Sequence, residues 1–161
     1  MTLHVAFLDT PIGTLQLYSN GVALTSINWP DENVAHTTAT ELEDAVLHEA
    51  KRQLTQYFNK ERKQFDIPLD AGGTEFQRAV WDSLRQIPYG EQCSYAEIAR
   101  DIGRPRAVRA VGAANGRNPI PIIVPCHRVI GSNGTLTGFA GGLALKRELL
   151  ALEGAQSELW D

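Results

Sequence analysis

Cysteine and long apolar runs are both scarce in this sequence of 161 residues. Its two cysteines, Cys93 and Cys126, are too few for a disulfide framework, so we expect free thiols, as in a reducing cytoplasm. No apolar run approaches the roughly 20 residues that span a bilayer, and residues 1–10 lack the basic and apolar segments of a signal peptide. No group of cysteines and histidines has zinc-site spacing. These absences favour a cytoplasmic globular protein that binds neither a metal nor a membrane.

Acidic side chains outnumber basic ones overall, but the two signs are unevenly distributed. The net charge of −4 argues weakly against a nucleic-acid partner. Residues 76–152, however, hold ten basic and five acidic side chains, with six arginines between Arg100 and Arg128. Such a local excess of positive charge can bind phosphate groups, because salt screens the more distant acidic residues. On charge alone, a solvated basic face explains the pattern equally well.

Residues 1–70 have the pattern of a small α+β domain with an antiparallel sheet and a helix. Three apolar-rich runs predict strands and are separated by turn residues: 4–8, 14–18 and 22–29. Between the last two, Asn20-Gly21 favours a tight hairpin, because both residues tolerate a positive φ. Thr40 and Glu43 match a capping box, which predicts the start of the helix.

The boundary between two predicted domains lies near residue 70. Phe65, Ile67 and Leu69 alternate with polar residues and predict one more strand. Residues 70–73 contain two glycines and indicate a linker. The region that follows, residues 71–161, is predicted to be a mainly helical domain.

This C-terminal region has clear helix boundaries. Two capping boxes predict helix starts: Thr74 with Gln77, and Ser94 with Glu97. The second of these helices ends at Gly103, and Pro105 suits the first turn of the next one, so the pair indicates a helix-turn-helix. Asn133-Gly134 favours a short wing hairpin beside the helices. A last helix ends at Gly154, and the residues after it are expected at the surface.

The second helix of the helix-turn-helix is predicted to be thin and basic. Arg106, Arg109, Ala110 and Ala113 share one face of it. The minor groove of DNA is only about 6 Å wide, so a helix that presents alanine can approach it more closely than a bulky one. The alternative is that small residues only permit close packing between helices. Together with the arginines and the turn, this face favours DNA contact.

The run from Asn118 to Val129 centres on Cys126. The cationic neighbours His127 and Arg128 are expected to favour the thiolate, which is the nucleophilic form of cysteine. Prolines on the approach stiffen the backbone. A nucleophilic cysteine also needs a base, for which His127 is the adjacent candidate, and a group that orients the base. A Cys-His pair alone is more often incidental than catalytic, but the prolines, the arginines and the nearby DNA-binding pattern favour catalysis here.

Motifs throughout the second half of the chain match one known family. They are Phe76-Gln77, Val80-Trp81, Ile87–Gly90, Ser94-Tyr95, Arg109–Ala114, Asn118-Pro119, Pro125–Val129, Gly138–Gly142 and Leu149–Gly154. With these motifs the chain resembles the O6-alkylguanine-DNA alkyltransferases, also called methylated-DNA–protein-cysteine methyltransferases. The Pro-Cys-His-Arg signature, with Arg-Ala-Val-Gly and Asn-Pro upstream, is specific to that family. Residues 1–70 match its N-terminal domain in length and pattern only.

The resemblance implies a role for each of thirteen residues. Four would form the catalytic group: Cys126 as alkyl acceptor, His127 as its base through a water, Glu153 as the group that orients the imidazole, and Asn118 as a brace of the turn. Four would hold the extruded base: Tyr95, Val129, Phe139 and Ala140. Five would contact DNA: Arg109, which fills the gap that the flipped nucleotide leaves, with Ala110, Ala113, Arg106 and Arg128.

The resemblance further implies a DNA-repair enzyme that acts once. An alkyl group on O6-alkylguanine or O4-alkylthymine in double-stranded DNA would pass irreversibly to Cys126, without a cofactor, and the protein would be a monomer in the absence of DNA. One position departs from the pattern, because many members carry tyrosine where this chain has Phe139. The missing hydroxyl could have bonded O6, and its loss would weaken transition-state stabilisation by about 1 kcal/mol.

Two other functions fit parts of the sequence. A non-catalytic DNA-binding protein of the same fold could recognise alkylated bases or regulate transcription, but it would not need a thiol at Cys126. A cysteine hydrolase would need a group that stabilises an oxyanion, which the sequence does not reveal, and it would leave the basic helix-turn-helix unexplained. Cys93 has no part in any of these functions and is interpreted as a small packing residue.

Overall fold

The computed structural model of the protein describes residues 2–30, 32, 39–155 and 157–160. Contacts divide the chain into two compact units, Met1–Gly72 and Gly73–Asp161. The first unit contains a sheet and one helix, and the second is mainly helical, which confirms the predicted α+β class. Within the described ranges, every helix is too short or too polar to traverse a lipid bilayer.

The first unit is a four-stranded sheet on which one helix packs. The strands lie in the order β3-β2-β1-β4 and are β1 His4–Thr10, β2 Gly13–Ser19, β3 Leu24–Asn28 and β4 Thr40–Glu41. Neighbours among β1, β2 and β3 are antiparallel, whereas β4 runs parallel to β1. Helix α1, Ala45–Phe58, buries Leu47, Leu54 and Tyr57 against the sheet. The core of this unit therefore lies between one face of the sheet and α1.

The helix of this unit begins later than its sequence suggested. Thr40 does not cap it, because the backbone of Thr40 is already bonded to the edge of β1, with its N–H donating to Leu3 O at 2.9 Å. The cap is Asp44 instead, whose Oδ1 accepts from Leu47 N at 2.8 Å. His4 holds the other carboxylate oxygen of Asp44 at 2.7 Å. Strand pairing at a free sheet edge has thus overridden a local capping signal.

The predicted hairpin at Asn20-Gly21 is present, because β2 and β3 pair as antiparallel neighbours across it. Its loop has four residues, is closed by Asn20 N donating to Ala23 O at 3.1 Å, and has a positive φ at Gly21 but not at Asn20. The strand predicted over residues 65–69 was wrong. The alternating segment before residue 70 forms only a single bridge, between Leu24 and Leu69. Pro68 lies inside that segment and has no N–H to donate, so a regular ladder cannot extend through it.

Two helices of the second unit, α2 and α3, begin where the sequence predicted. Its elements are α2 Glu75–Leu84, β5 Cys93–Ser94, α3 Tyr95–Asp101, α4 Val108–Gly116, β6 Val129–Ile130 and α5 Leu143–Leu152. Both predicted capping boxes are present, at Thr74 and at Ser94. Strands β5 and β6 pair in parallel over two residues each. This pairing ties the start of α3 to the segment that follows Cys126.

The helix-turn-helix is present, but its second helix is shorter than predicted. Helix α4 begins at Val108 and not at Pro105. Residues 104–107 form a turn that is closed by Ala107 N donating to Arg104 O at 2.9 Å. Arg106 therefore lies in this turn and not on the helix.

The end of the chain differs from expectation in two ways. Gly131 N donates to Thr135 O at 2.9 Å around the Asn133-Gly134 turn, but no strand follows in the described part, so the wing hairpin does not form. In the described part of the segment after α5, which was expected at the surface, Ala155 and Trp160 are buried. Trp160 packs with Leu150 and Ala155 and donates its indole N–H to Gly134 O at 2.9 Å. Burial of the large indole against the loop explains this ordering.

Candidate active site

Cys126 is held at the end of a buried apolar run. The four apolar residues that lead to it, apart from prolines, are buried: Ile120, Ile122, Ile123 and Val124. Asn118 braces their turn twice, since its Nδ2 donates to Val124 O at 2.8 Å and its Oδ1 accepts from Ile120 N at 3.0 Å. The chain then enters a short 3-10 helix, Cys126–Arg128. The sulfur is thereby presented from a tightly packed turn.

His127 and Glu153 form a buried pair. His127 Nε2 donates to Glu153 Oε2 at 2.7 Å, and both side chains are fully buried. A neutral imidazole with its hydrogen on Nε2 has its lone pair on Nδ1. Within the described chain, Nδ1 has no hydrogen-bond partner. Burial lowers the pKa of His127, and the neighbouring carboxylate only partly offsets this. The ring is therefore a neutral base with one open acceptor atom.

Arg128 completes this buried network. Its Nε and Nη2 donate to the two oxygens of Glu153 at 2.8 and 2.9 Å, and its Nη1 donates to Ile87 O at 2.7 Å. Burial alone would raise the pKa of Glu153, but hydrogen bonds from His127 and Arg128 lower it to about 2. Because Arg128 is 6% exposed and all three of its nitrogens donate internally, the structure does not support the predicted DNA contact of this residue.

The resting thiol of Cys126 is not activated by its neighbours, contrary to the prediction from sequence. Burial raises its pKa to about 11, and a hydrogen bond with Asn118 and the charge of Lys146 offset only part of this effect. The adjacent cations contribute little, because Glu153 neutralises Arg128 and His127 is uncharged. Deprotonation must therefore accompany the arrival of a reaction partner.

At pH 7.5, Cys126 should react with iodoacetamide far more slowly in the folded protein than in urea. Its thiol is 5% exposed, and a pKa of about 11 against an ordinary value of 9.0 leaves about a hundredfold less thiolate. Peptide mass spectrometry measures the two rates. Cys93, also a free thiol and with its pKa also raised to about 11, is the internal comparison. Because it is only partly buried, it should react faster than Cys126, and equal rates for Cys126 in both states would contradict the assignment.

Three of the residues predicted to hold the base lie around one buried ammonium group. Lys146 Nζ donates to Val129 O at 2.6 Å and lies 5.8 Å from the centre of the Phe139 ring. The same ammonium is 3.5 Å from the carbonyl of Thr137, whose hydroxyl is 2.7 Å from the hydroxyl of Tyr95. The structure thus brings Tyr95, Val129 and Phe139 together. Ala140 follows Phe139 in the exposed part of the same turn.

Four of the five residues predicted to contact DNA are exposed on α4 or directly before it. Arg109, Ala110 and Ala113 are exposed on this helix, and Arg106 is exposed in the turn before it. Val111, on the other side of the helix, is fully buried. The face therefore combines small side chains with positive charge, and neither is used in packing the unit.

Comparison with known proteins assigns both units. A family model described as the ribonuclease-like domain of 6-O-methylguanine DNA methyltransferase matches residues 3–71, and the model of its DNA-binding domain matches residues 75–155. A methylated-DNA–protein-cysteine methyltransferase of Methanosarcina acetivorans is 48% identical over 162 residues, which cover 95% of this chain and 99% of the relative. The chain belongs to the methylated-DNA–protein-cysteine methyltransferase family.

Other similar proteins match over most of their length. The methylated-DNA–protein-cysteine methyltransferase of Mycolicibacterium paratuberculosis is 53% identical over 148 residues, or 91% of this chain and 89% of that protein. A crystal structure of Mycobacterium tuberculosis OGT in complex with DNA has a TM-score of 0.87 at 47% identity and covers 99% of this chain and 98% of that one. A crystal structure of the Mycobacterium tuberculosis O6-methylguanine methyltransferase has a TM-score of 0.86 at 46% identity, with 97% and 96% covered.

Two residues of the candidate site, Lys146 and Thr137, were not predicted from the sequence. Lys146 is fully buried, and burial lowers its pKa to about 8. The sequence could have indicated the burial of Lys146, because this residue lies on the same helical face as Leu149 and Leu150. A lysine is unusual on a buried face. Thr137 gave no signal, since its contact with Tyr95 depends on the path of an irregular loop.

Proposed function

We propose that this chain is a DNA-repair enzyme that transfers an alkyl group from O6-alkylguanine, and from O4-alkylthymine, in double-stranded DNA to the sulfur of its own Cys126. The transfer is irreversible and occurs once per molecule. One observation supports the proposal beyond family membership. The residue that follows the buried Cys126 is His127, whose Nε2 is fixed by Glu153 while its Nδ1 has no hydrogen-bond partner among the described residues. This is the arrangement of nucleophile, base and orienting group that a reactive cysteine requires.

The reaction is an in-line displacement at the alkyl carbon. Cys126 Sγ attacks this carbon, the S–C bond forms as the C–O6 bond breaks, and guanine leaves with the electron pair. The thiol proton passes through a water to His127 Nδ1, and Glu153 stabilises the imidazolium that results. The proton finally returns to the departing base, which leaves as unmodified guanine. No group of the site can cleave the thioether product, so each molecule acts once and needs no cofactor.

The base is held by backbone carbonyls and aromatic side chains. The carbonyls of Cys126 and Val129 accept from its exocyclic amine, and Tyr95 donates to N3 as negative charge develops on the leaving base. Phe139 stacks on the ring, and Ala140 lines the same turn. The position of Phe139 near Lys146, which also binds Val129 O, supports a shared pocket for these contacts.

The exposed face of α4 docks against the minor groove of the DNA. Ala110 and Ala113 permit a close approach, and Arg106 contacts phosphate from the preceding turn. Arg109 fills the gap that the flipped nucleotide leaves. Flipping is required because the reacting carbon is out of reach inside the base stack, and it costs on the order of a few kcal/mol, less for a damaged base.

Ala113→Leu should weaken DNA binding without unfolding the protein. Ala113 is exposed on α4 and leucine is a good helix former, so stability should change by less than about 0.5 kcal/mol. The larger side chain would hold the groove away from the helix, and we expect a loss of affinity on the order of tenfold. Fluorescence anisotropy with a labelled duplex measures it. Ala45→Leu, at the exposed first position of α1, is the matched control, and an equal loss in both variants would rule out this docking face.

The transfer itself is tested with duplex DNA that carries a labelled methyl group on guanine O6. We expect one label per protein, recovered as S-methylcysteine at position 126, with none on Cys126→Ala. Cys93→Ala is the matched control and should accept the label as the wild type does. Bound but unmodified DNA would instead favour a non-catalytic binding protein, and repeated turnover would exclude the single-use mechanism.

The proposed function assigns the DNA-binding face and the acceptor cysteine to the C-terminal domain, residues 71–161. Residues 1–70 form a separate α+β domain, to which we assign no role in the reaction. The protein acts in the cytoplasm and is a monomer in the absence of DNA. Sedimentation velocity at several protein concentrations tests the last point, since a monomer keeps a constant sedimentation coefficient.

A further inference from the structure

The hydroxyl groups of Tyr95 and Thr137 lie 2.7 Å apart. We propose that Thr137 is a positioning residue for alkyl transfer, which donates its own hydroxyl hydrogen to Tyr95 so that the phenol hydrogen points to N3 of the bound guanine. The inference rests on the proposed function, and it adds a residue to which none of the sequence motifs assigns a role.

The backbone and ring of Tyr95 are fixed independently of Thr137. Tyr95 is the first residue of α3, directly after Ser94, whose capping box sets the helix start. Ser94 is also paired with Ile130 in the β5–β6 ladder. The ring passes close to α4, because a Cβ added at Gly112 would lie 3.9 Å from its Cδ1. The phenol oxygen therefore has a fixed location, and only the direction of its hydrogen remains free.

Thr137 is fixed from the opposite side. Its carbonyl lies 3.5 Å from Lys146 Nζ, and the same ammonium donates to Val129 O at 2.6 Å. Thr137 also precedes Phe139 by two residues in the turn that leads to α5. The hydroxyl of Thr137 thus joins the loop of the base pocket to the first helix of the helix-turn-helix.

The two hydroxyl hydrogens of Tyr95 and Thr137 limit which hydrogen bonds this pair can form. Each hydroxyl has one hydrogen and can accept two bonds, and only one hydrogen can lie between the two oxygens. If Tyr95 donates to Thr137, its phenol hydrogen is unavailable to the base. If Thr137 donates to Tyr95, the phenol hydrogen is free for N3. An acceptor at N3 selects the second arrangement.

This second arrangement is a chain in which Thr137 donates to Tyr95 and Tyr95 donates to N3. Hydrogen bonds in such a chain polarise one another, so Thr137 makes the phenol a better donor. The benefit grows as the leaving base gains negative charge, because a hydrogen bond to a charged acceptor is stronger than one to a neutral acceptor. Thr137 therefore acts on the rate of transfer more than on the affinity for DNA.

The experiment compares Thr137→Val, which keeps the shape but removes the hydroxyl, with Thr137→Ser, which keeps the hydroxyl. Single-turnover transfer from O6-methylguanine DNA should be about fivefold slower in the valine variant, the scale of one net hydrogen bond, while the serine variant should stay close to wild type. DNA affinity and melting temperature are measured in parallel. If Thr137→Val does not fold, Thr137→Ala serves the same comparison. A valine variant as fast as wild type would overturn the inference.

A second substrate separates hydrogen direction from simple bracing of the loop. In DNA that carries O6-methyl-3-deazaguanine, a carbon replaces N3 and nothing accepts the phenol hydrogen. Wild type and Thr137→Val should then transfer at the same rate. A fivefold gap that persists on this substrate would show that Thr137 only braces the loop, which would overturn the inference. If the wild type does not transfer the methyl group from ordinary O6-methylguanine DNA, the proposed function itself is contradicted. This outcome differs from one that contradicts only the role of Thr137.

Discussion

Glu153→Gln should lower the free energy of unfolding by about 3–5 kcal/mol, the cost of removing one partner from a buried ion pair. Arg128 donates to both oxygens of Glu153 and is itself buried, so its charge would lose its counterion. The change should also slow alkyl transfer at least on the order of a hundredfold, because a base contributes about that much or more. An amide cannot stabilise the imidazolium of His127. Urea unfolding and single-turnover transfer measure the two effects.

The pH dependence of stability adds a sharper test of the same carboxylate. The pKa of Glu153 is about 2 in the folded protein, against an ordinary value of 4.5. Because the folded value is the lower one, the stabilisation is complete above pH 4.5 and is lost as the pH falls towards 2. This loss amounts to about 3 kcal/mol. Glu148→Gln, at an exposed position of α5, is the matched control and should lose stability in acid as the wild type does. Glu153→Gln should lack this loss, and parallel curves for the two variants would contradict the assignment.

Lys146→Met should slow alkyl transfer about tenfold or more while leaving stability almost unchanged. The charge of Lys146 lowers the pKa of the Cys126 thiol, and each unit of thiol pKa corresponds to a factor of about ten in thiolate. Stability hardly changes because two effects oppose each other. Burial lowers the pKa of Lys146 from 10.5 to about 8, a penalty of about 3 kcal/mol that methionine avoids. The lost hydrogen bond to Val129 O is worth about 1.5–3 kcal/mol.

The neighbouring residue provides the control for this variant. Arg147→Met removes the same charge from the exposed side of α5 and gives up only a bond to Trp160 O, so transfer should proceed at the wild-type rate. For Lys146→Met, the rate should recover as the pH rises, because more alkaline solution restores the thiolate. A variant that is slow at every pH, and unstable as well, would show that Lys146 only packs the site.

The starts of α2 and α3 were predictable because each depends on a contact between residues three apart in the sequence. The side chains of Thr74 and Ser94 accept from the backbone N–H three residues on, as their sequences indicate. The same capping pattern gave a wrong prediction at Thr40, because this residue pairs with β1 as part of β4 and does not cap a helix. Strand β1 consists of residues far away in the chain, so no local window of sequence contains the competing interaction.

The residues proposed to carry the reaction could be identified from the sequence, but the direction of their pKa shifts could not. Motifs identified Cys126, His127 and Glu153, and the structure joins the last two by a hydrogen bond. The direction of the thiol pKa depends on burial, which the sequence suggested only through the apolar run before it. The resemblance implied a DNA contact for Arg128, and its charge gave no indication that it would be buried. Its actual partners, Glu153 and Ile87 O, converge only in the folded unit.

The short ladder between β5 and β6 has a consequence for how such a protein can change during evolution. Cys93 pairs with Val129 and Ser94 with Ile130, so main-chain atoms set the spacing between the start of α3 and the segment that follows Cys126. Main-chain geometry is insensitive to most side-chain replacements. The proposed DNA face lies on α4, which takes no part in this ladder. We therefore expect substitutions on that face to change affinity for a duplex without moving Cys126, so that recognition and chemistry can change separately.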